Sequence, residues 1–385
     1  MLVPALLLFM FAVLLTLESV HLRKQVDSIS TRIHVNGTRG KSSVTRYIAA
    51  GMRESGRRTW AKVTGVRPTV IGPDGLYWPI KRRGGPRVQE QFRIMKQAAG
   101  DDAQCLVLEC MSIQPELQVL EGRFFRPHVY VLTNVKDDHR EALGNDLDSQ
   151  IRALCEAMQP GSRVITAEGR HLGILRQVAA KRGNQVSVAT PLTLEQQTAL
   201  PEGVFAVNVE LAVAACQACG IPPHISFPEI VREASMNSRA IVPSRVGEVW
   251  FVDGFAVNDV PSAHEFIRSW QNRFPEAGGL TILFNARADR PLRSASFARY
   301  LPALKDLDRV ILIGNHARYM RRALIAAGFA REAITLWSHR EAANVRRCLP
   351  LAGVGAGHLV IGLGNIGGDG HLISESLAPE VAYAV

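Results

Sequence analysis

Metal and redox spacing is scarce in this sequence. Its six cysteines offer one C-x-x-C, Cys216 and Cys219, and no second pair at ligand distance. A zinc site or dithiol centre needs more than that. The pair lies in the apolar helical run NVELAVAACQACG, where both read as small core residues of a reduced compartment. Internal repeats and low-complexity segments are also missing, which excludes solenoids and biased disordered tracts. Acidic residues are in deficit, 35 against 45 basic ones, for a formal net charge of +10. Such an excess suits nucleic acid, an anionic membrane surface, or an acidic substrate or product, and charge alone does not choose. The densest cluster is Lys81, Arg82 and Arg83, with Arg87 close by. From Leu2 to Leu17 there is no charge at all. As a helix that run measures about 24 Å at ~1.5 Å per residue. A bilayer core is about 30 Å thick, a gap that flanking residues or local thinning close. No basic segment precedes the run and no A-x-A-like site follows, which argues against a cleaved signal peptide. His21, Arg23 and Lys24 come next, so the positive-inside tendency keeps the body of the protein cytoplasmic. The expectation is a single N-terminal anchor in the cell membrane.

What is present is an alternation of strand and helix. Apolar strand candidates are 33–35, 105–108, 129–132 and 164–166, with amphipathic helices at 44–53 and 88–98 between them and a long helix at 205–220. That is the rhythm of a mostly parallel sheet covered on both faces. The segment MNSRAIVPSRVGE, 236–248, lacks periodicity and marks a boundary. A second series follows, with strands at 249–252, 280–284, 310–313 and 359–361 and helices such as 263–270 and 318–327. The expected fold class is α/β. A P-loop central domain with a mostly parallel sheet (25–240) precedes a smaller Rossmann-like α/β domain (241–385), and a membrane helix (1–24) leads both.

The decisive stretch is IHVNGTRGKSSVTRYIAAGMRESG, Ile33 to Gly56. It has the look of a phosphate loop between strand and helix. The usual G-x-x-x-x-G-K-[ST] places its first glycine five residues before the second, yet Val35 stands there and the upstream glycine is Gly37. Gly37 and Gly40 let the backbone turn tightly and aim N–H groups inward. A helix beginning near Lys41 presents a partial positive charge to phosphate. Lys41 supplies a point charge for the β- and γ-phosphates, and the Ser42 hydroxyl can ligate Mg²⁺. Gly37, Thr38, Gly40, Lys41, Ser42 and Ser43 are the candidate ATP-binding residues of this loop.

The shortened spacing, G-T-x-G-K-[ST], resembles the nucleotide loop of the Mur ligase superfamily, the ATP-dependent amide ligases. The resemblance implies further elements in order. Glu109, ending CLVLE, matches the carboxylate that binds Mg²⁺ near the γ-phosphate. A buried strand rarely ends in an unpaired carboxylate without a reason. Asn134, Val135, Asp138 and His139 match N-[VIL]-x-x-D-H, in which the histidine is a metal ligand. Asn208 matches a helical asparagine near the adenine. Asp253, Ala256 and Asn258, in DGFAVN, resemble D-[YG]-[AF]-x-N with one residue more before the asparagine, the aspartate lying near the ribose, with Arg245 in the segment before it. Arg287, Asp289 and Arg290 in FNARADRPLR match a loop that closes onto the nucleotide. Ligands commonly gather at the carboxyl edge of such sheets.

Within the superfamily, the likeness is to the catalytic subunit of poly-γ-glutamate synthase (PgsB/CapB type) and covers nearly the whole chain. GPDGLYWPIKRRGGP, NARADR and IGLGNIGGDG carry it, together with the hydrophobic N-terminus. Between the apolar run and the loop there is no room for the UDP-binding domain of the peptidoglycan ligases. The resemblance implies ATP and Mg²⁺ as cofactors, Lys41, Glu109 and His139 as catalytic residues, and Ser42, Glu109 and His139 as metal ligands. The carbamylated lysine of many relatives has no counterpart, Lys181 standing in the wrong context, so a second Mg²⁺ site rests on His139 and waters. The implied reaction polymerises glutamate through an acyl phosphate with release of ADP and phosphate. Implied partners are glutamate, the polyglutamate chain and small membrane subunits of an export complex, in an oligomer and without nucleic acid. Lys81, Arg82, Arg83 and Arg87 are candidates for contact with the acidic chain. Two alternatives stand: a ligase of this fold acting on another acidic acceptor, and a membrane-tethered P-loop ATPase switch. The G-x-G-x-x-G at Gly362, Gly364 and Gly367 reads as a backbone turn, since no room remains for the unit a dinucleotide needs after it.

Overall fold

A computed structural model describes residues 2–65, 68–82, 85–136, 143–144, 146–201, 203–237, 243–257 and 259–377. The chain divides into two compact units, Met1–Arg239 and Ala240–Val385. The first is built on eight strands: β1 (Thr31–Asn36), β2 (Thr59–Val63), β3 (Thr69–Ile71), β4 (Tyr77–Pro79), β5 (Cys105–Glu109), β6 (Val129–Leu132), β7 (Arg163–Thr166) and β8 (Gln185–Val188). Their order across the sheet is β4-β3-β2-β5-β1-β6-β7-β8. From β2 to β8 neighbours run parallel, whereas β3 and β4 pair antiparallel at one edge. The centre is buried on both faces, which is why CLVL and VYVL are continuous apolar runs. Helix α2 (Lys41–Glu54) turns Val44, Ile48 and Met52 into the core at helical spacing and packs against helices Ala206–Ala218 and Pro223–Asn237.

Helix α1 (Leu2–Ser28) is longer than the apolar run in the sequence, and its two ends differ. Residues 3–18 are exposed, whereas Leu22 and Val26 are buried. The buried foot packs on α3 (Gln89–Gly100) and α4 (Pro115–Phe125). Arg32, itself buried, secures it: its guanidinium donates to the carbonyls of Val26 (3.1 Å), Ile29 (2.7 Å) and Arg126 (3.0 Å). By length and a mean hydropathy of 2.2, this helix is long and apolar enough to cross a membrane.

The second unit has six strands: β9 (Ser244–Val246), β10 (Val249–Asp253), β11 (Leu280–Asn285), β12 (Leu307–Ile313), β13 (Ile334–Leu336) and β14 (Leu359–Leu363). They are ordered β13-β12-β11-β14-β10-β9, all parallel except β9. Alternate residues feed two cores. Val252, Ile282, Phe284 and Ile361 face one side, and Phe251, Leu283, Ile311 and Val360 the other. The antiparallel edges make both sheets mixed, a detail that the repeating βα pattern does not reveal.

Candidate active site

The sheet order sets the carboxyl ends of β2, β5, β1 and β6 side by side, and one polar cluster is built there. Asn36 closes β1. Its amide donates to Gln118 (2.8 Å), Tyr130 (2.9 Å) and the Leu154 carbonyl (3.0 Å), and its side-chain oxygen accepts from Gly37 N (2.8 Å). The loop then turns through Gly37 (φ 130°) and Gly40 (φ 80°), conformations that side chains rarely adopt. Space is short as well: a Cβ at Gly37 would overlap Thr133, and one at Gly40 would stand 2.5 Å from Asn208 Oδ1. Asn208, buried on helix Ala206–Ala218, therefore lies against the loop.

Asn134 clamps the loop from β6. Its Oδ1 accepts from Thr38 Oγ1 (2.7 Å) and Arg39 N (3.1 Å), its Nδ2 donates to the Arg39 carbonyl (3.2 Å), and its own carbonyl accepts from Thr38 N (3.1 Å). Lys136 N donates to Thr38 Oγ1 (2.8 Å). Lys41 Nζ reaches across the turn to the Gly37 carbonyl (2.5 Å). On the other side, Glu109 Oε2 accepts from Ser42 Oγ (2.8 Å) and from Thr64 N (2.7 Å). Gly65 lies so close that a Cβ there would stand 2.8 Å from Ser42 Oγ. Gln91 holds the strand end, donating to the Glu109 carbonyl (2.9 Å). Lys41 with Ser42, Glu109 and Asn134, from three separate stretches of the sequence, thus form one cluster.

Thr64, Gly65 and Gln91 did not emerge from the sequence, nor did Glu168, which accepts from Val135 N (3.2 Å) at the end of β7. A glycine directly after a strand, in KVTG, was the available signal. Asp138, His139, Asn258 and Arg83 lie outside the described residues. Arg82 is half-buried and committed: it makes two bonds to Glu90 (2.7 and 3.0 Å) and donates to Thr64 Oγ1 (3.2 Å). Lys62, fully buried, stands 3.7 Å from Glu90. Burial pushes its ammonium below the usual value, against the pull of Glu90.

In the second unit, Asp253 ends β10 and accepts from Phe255 N (3.2 Å). Arg245 pairs in register with Trp250 and holds its guanidinium 5.6 Å from that ring, so it is not beside Asp253. Arg287 and Asp289 form a two-point ion pair (2.9 and 2.8 Å) on an exposed loop, and Arg290 stands at the N-terminal boundary of the helix that follows without a side-chain capping bond. The glycine-rich GLGNIGG turn serves this loop. Asn285 donates to the carbonyls of Asn365 (2.5 Å) and Gly367 (2.8 Å), and a Cβ at Gly367 would overlap the Arg287 guanidinium.

The donors at Ser42 and Glu109 are hard oxygens, 2.8 Å apart, and suit Mg²⁺. A second ligand-like group, His34, Cys110 and Glu121, is buried nearby. Its members are engaged with one another and with the backbone. Glu121 faces His34 (3.4 Å) and accepts from Ser112, Gln91 (3.2 Å) and Met111 N (3.3 Å). Burial is the largest single influence and works to raise the Glu121 pKa, but the bond and charge of His34 together with the bonds from Ser112 and Gln91 outweigh it, leaving the carboxyl below its usual range.

Residues 35–192 match the model of the Mur ligase middle domain, and residues 241–380 match that of the poly-gamma-glutamate synthase CapB C-terminal domain. The PGA synthase CapB of Bacillus subtilis (strain 168) is 30% identical over 318 residues, covering 78% of each chain. The chain belongs to the CapB family of poly-gamma-glutamate synthases, within the Mur ligase superfamily. The capsule biosynthesis protein CapB of Bacillus anthracis is 33% identical over 312 residues, which are 76% of this CapB-family chain but 65% of the relative's length. In fold, the chain is similar to a bifunctional folylpolyglutamate synthase/dihydrofolate synthase from Yersinia pestis solved with AMPPNP and a Mn ion. The TM-score is 0.67 at 14% identity, over 94% of this chain and 92% of that one.

Proposed function

We propose that this CapB-family chain is an ATP-dependent amide ligase that polymerises glutamate into poly-γ-glutamate, releasing ADP and phosphate. The observation that carries the reading is the contact of Ser42 and Glu109 beside a loop clamped by Asn134, at the carboxyl ends of four adjacent strands. The family model and the PGA synthase relative support the choice of polymer. On this reading residues 1–24 anchor the chain in the cell membrane, 25–240 bind ATP and 241–385 complete the ligase. The body lies in the cytoplasm, working with small membrane subunits.

A carboxylate does not form an amide at neutral pH without activation. Its oxygen attacks the γ-phosphorus of ATP and ADP leaves, giving an acyl phosphate. The amine of a second glutamate then attacks the acyl carbon, phosphate leaves, and the amine proton passes to solvent. Lys41, the loop amides and the N-terminus of α2 stabilise the charge that spreads over the transferring group. Ser42 and Glu109 would hold Mg²⁺, which supplies charge neutralisation at the phosphate oxygens. Thr64 N and the Ser42 hydroxyl keep the Glu109 carboxylate oriented. Asn208, Asp253, Arg245, Asn258 and the Arg287–Arg290 loop are assigned to the nucleotide, and His139 to a further metal position.

The test is phosphate release by membranes holding the protein, with and without glutamate. Glutamate-dependent release with a γ-linked product supports the assignment. Release indifferent to glutamate overturns it.

A further inference from the structure

A groove of about 440 Å³ opens on the first unit, lined by Lys81, Arg82, Arg87, Glu90 and Arg93 among others. Its one carboxylate is already used, since Glu90 takes two bonds from Arg82 and faces buried Lys62. Lys81, Arg87 and Arg93 are exposed, and their side chains make no ion pair among the described residues. Three cations left to repel one another in a concave site are a standing invitation to an acid. The groove is also wired to the phosphate loop. Arg82 donates to Thr64 Oγ1 (3.2 Å), Thr64 N donates to Glu109 (2.7 Å), and Ser42 donates to the same Glu109 oxygen (2.8 Å). Arg82, fixed by Glu90, is therefore the wall between groove and loop.

We propose that this groove binds the acidic chain itself. In a γ-linked polymer of glutamate every residue keeps a free α-carboxylate. Successive carboxylates would lie against Lys81, Arg87 and Arg93, and the reactive end would pass Arg82 and Thr64 to reach the phosphate loop. This rests on the polymerising reading above and adds a subsite to it: the enzyme holds a run of carboxylates, not one. Arg87 and Arg93 set affinity for length.

The experiment is fluorescence anisotropy with a labelled γ-linked glutamate hexamer and dimer. It uses the purified full chain in detergent, without ATP, at low salt. Wild type is expected to bind the hexamer at least about tenfold more tightly than the dimer. Arg87→Ala with Arg93→Ala is expected to weaken hexamer binding by about 3- to 30-fold, from two solvent-exposed charge contacts. Arg318→Ala with Arg322→Ala, equal in charge but on the second unit, is expected to leave it unchanged. Equal hexamer affinity in wild type and the groove variant overturns the proposal. So does equal competition by single-stranded DNA of the same charge, which would make the groove a general polyanion site. Glutamate-dependent ATP hydrolysis is read in parallel on membranes holding the same variants with their small membrane subunits. Hydrolysis with no groove effect overturns the groove alone. Groove binding without hydrolysis overturns the polymerising reading instead.

Discussion

Glu109 can be changed in two ways that separate its charge from its hydrogen bonds. In Glu109→Gln a side-chain carbonyl remains to accept from Ser42 Oγ and Thr64 N, the two donors now at 2.8 and 2.7 Å. The negative charge goes. In Glu109→Ala both acceptor and charge go, at a position only 3% exposed. A buried donor left unsatisfied costs about 1–3 kcal/mol. Alanine should thus destabilise the first unit by about 2–4 kcal/mol, and glutamine by less than about 1 kcal/mol. Turnover should not follow stability. Losing one preorganised charge contact at the transferring group costs a factor of about 10²–10³ in rate. Both variants should therefore lose glutamate-dependent phosphate release to that extent or more, and the glutamine variant should need about 10- to 100-fold more Mg²⁺. Urea denaturation followed by intrinsic fluorescence gives the stabilities, and a coupled phosphate assay over a Mg²⁺ series gives the rates. A glutamine variant that keeps more than about a tenth of wild-type turnover would refute the placement of Glu109 at the phosphates. An alanine variant as stable as the glutamine one would refute the role of its hydrogen bonds.

Gly40→Ala forces a left-handed φ of 80° on alanine, worth about 1–2 kcal/mol, and drives a methyl to 2.5 Å from Asn208 Oδ1. Labelled-ATP binding should be lost, and adding Asn208→Ala should relieve the overlap without restoring full affinity. Arg32→Met leaves three carbonyls without a buried donor, for an expected loss of about 3–5 kcal/mol. Limited proteolysis should then cut between α1 and β1 in the variant and not in wild type. All six cysteines are free. Iodoacetamide at pH 8 should spare buried Cys105, Cys110, Cys155 and Cys216 and label partly exposed Cys348. Cys219 should lag, because burial pushes its thiol up to about 11. Peptide mass spectrometry reads the order, and early labelling of Cys216 would contradict the core described above.

Four strands of the first unit were readable: β5 and β6 as continuous apolar runs buried on both faces, and β1 and β7 from the buried apolar residues Ile33, Val35, Val164 and Ile165. Its other four were not. β2, TWAKV, contains a lysine that looks solvated until the fold sets it against Glu90. β3 and β4 are three residues each, and β8 is mostly exposed, so none has a periodicity to read. The same contrast holds in the site. Glu109 ends a strand, Asn134 lies two residues past another, and Lys41 and Ser42 open the helix after a third, all with distinctive side chains. Thr64 contributes a backbone N–H, and Gly65 an absence of side chain, neither of which leaves a mark in residue type. Arg82 read as one of a cluster of cations free for an acidic chain, because its partner, eight residues on, faces it only once α3 has begun. The glycines of GLGNIGG were legible as a turn, but not as the seat of Arg287.

Helix α1 passes without a break from its exposed apolar part to its packed foot, Leu17 and Leu22 lying about 7.5 Å apart along one axis. There is no hinge between the two, and Lys96 of α3 meets Glu18 (3.9 Å) where the one gives way to the other. Whatever grips residues 3–17 therefore grips the first unit in a fixed attitude, like a mast rather than a tether. A shortened chain made for work in water should accordingly begin near Glu18. Removing everything through Ser28 would take Leu22 and Val26 out of the core and strip Arg32 of the Val26 carbonyl, so that what was cut as a tail would be missed as a foundation.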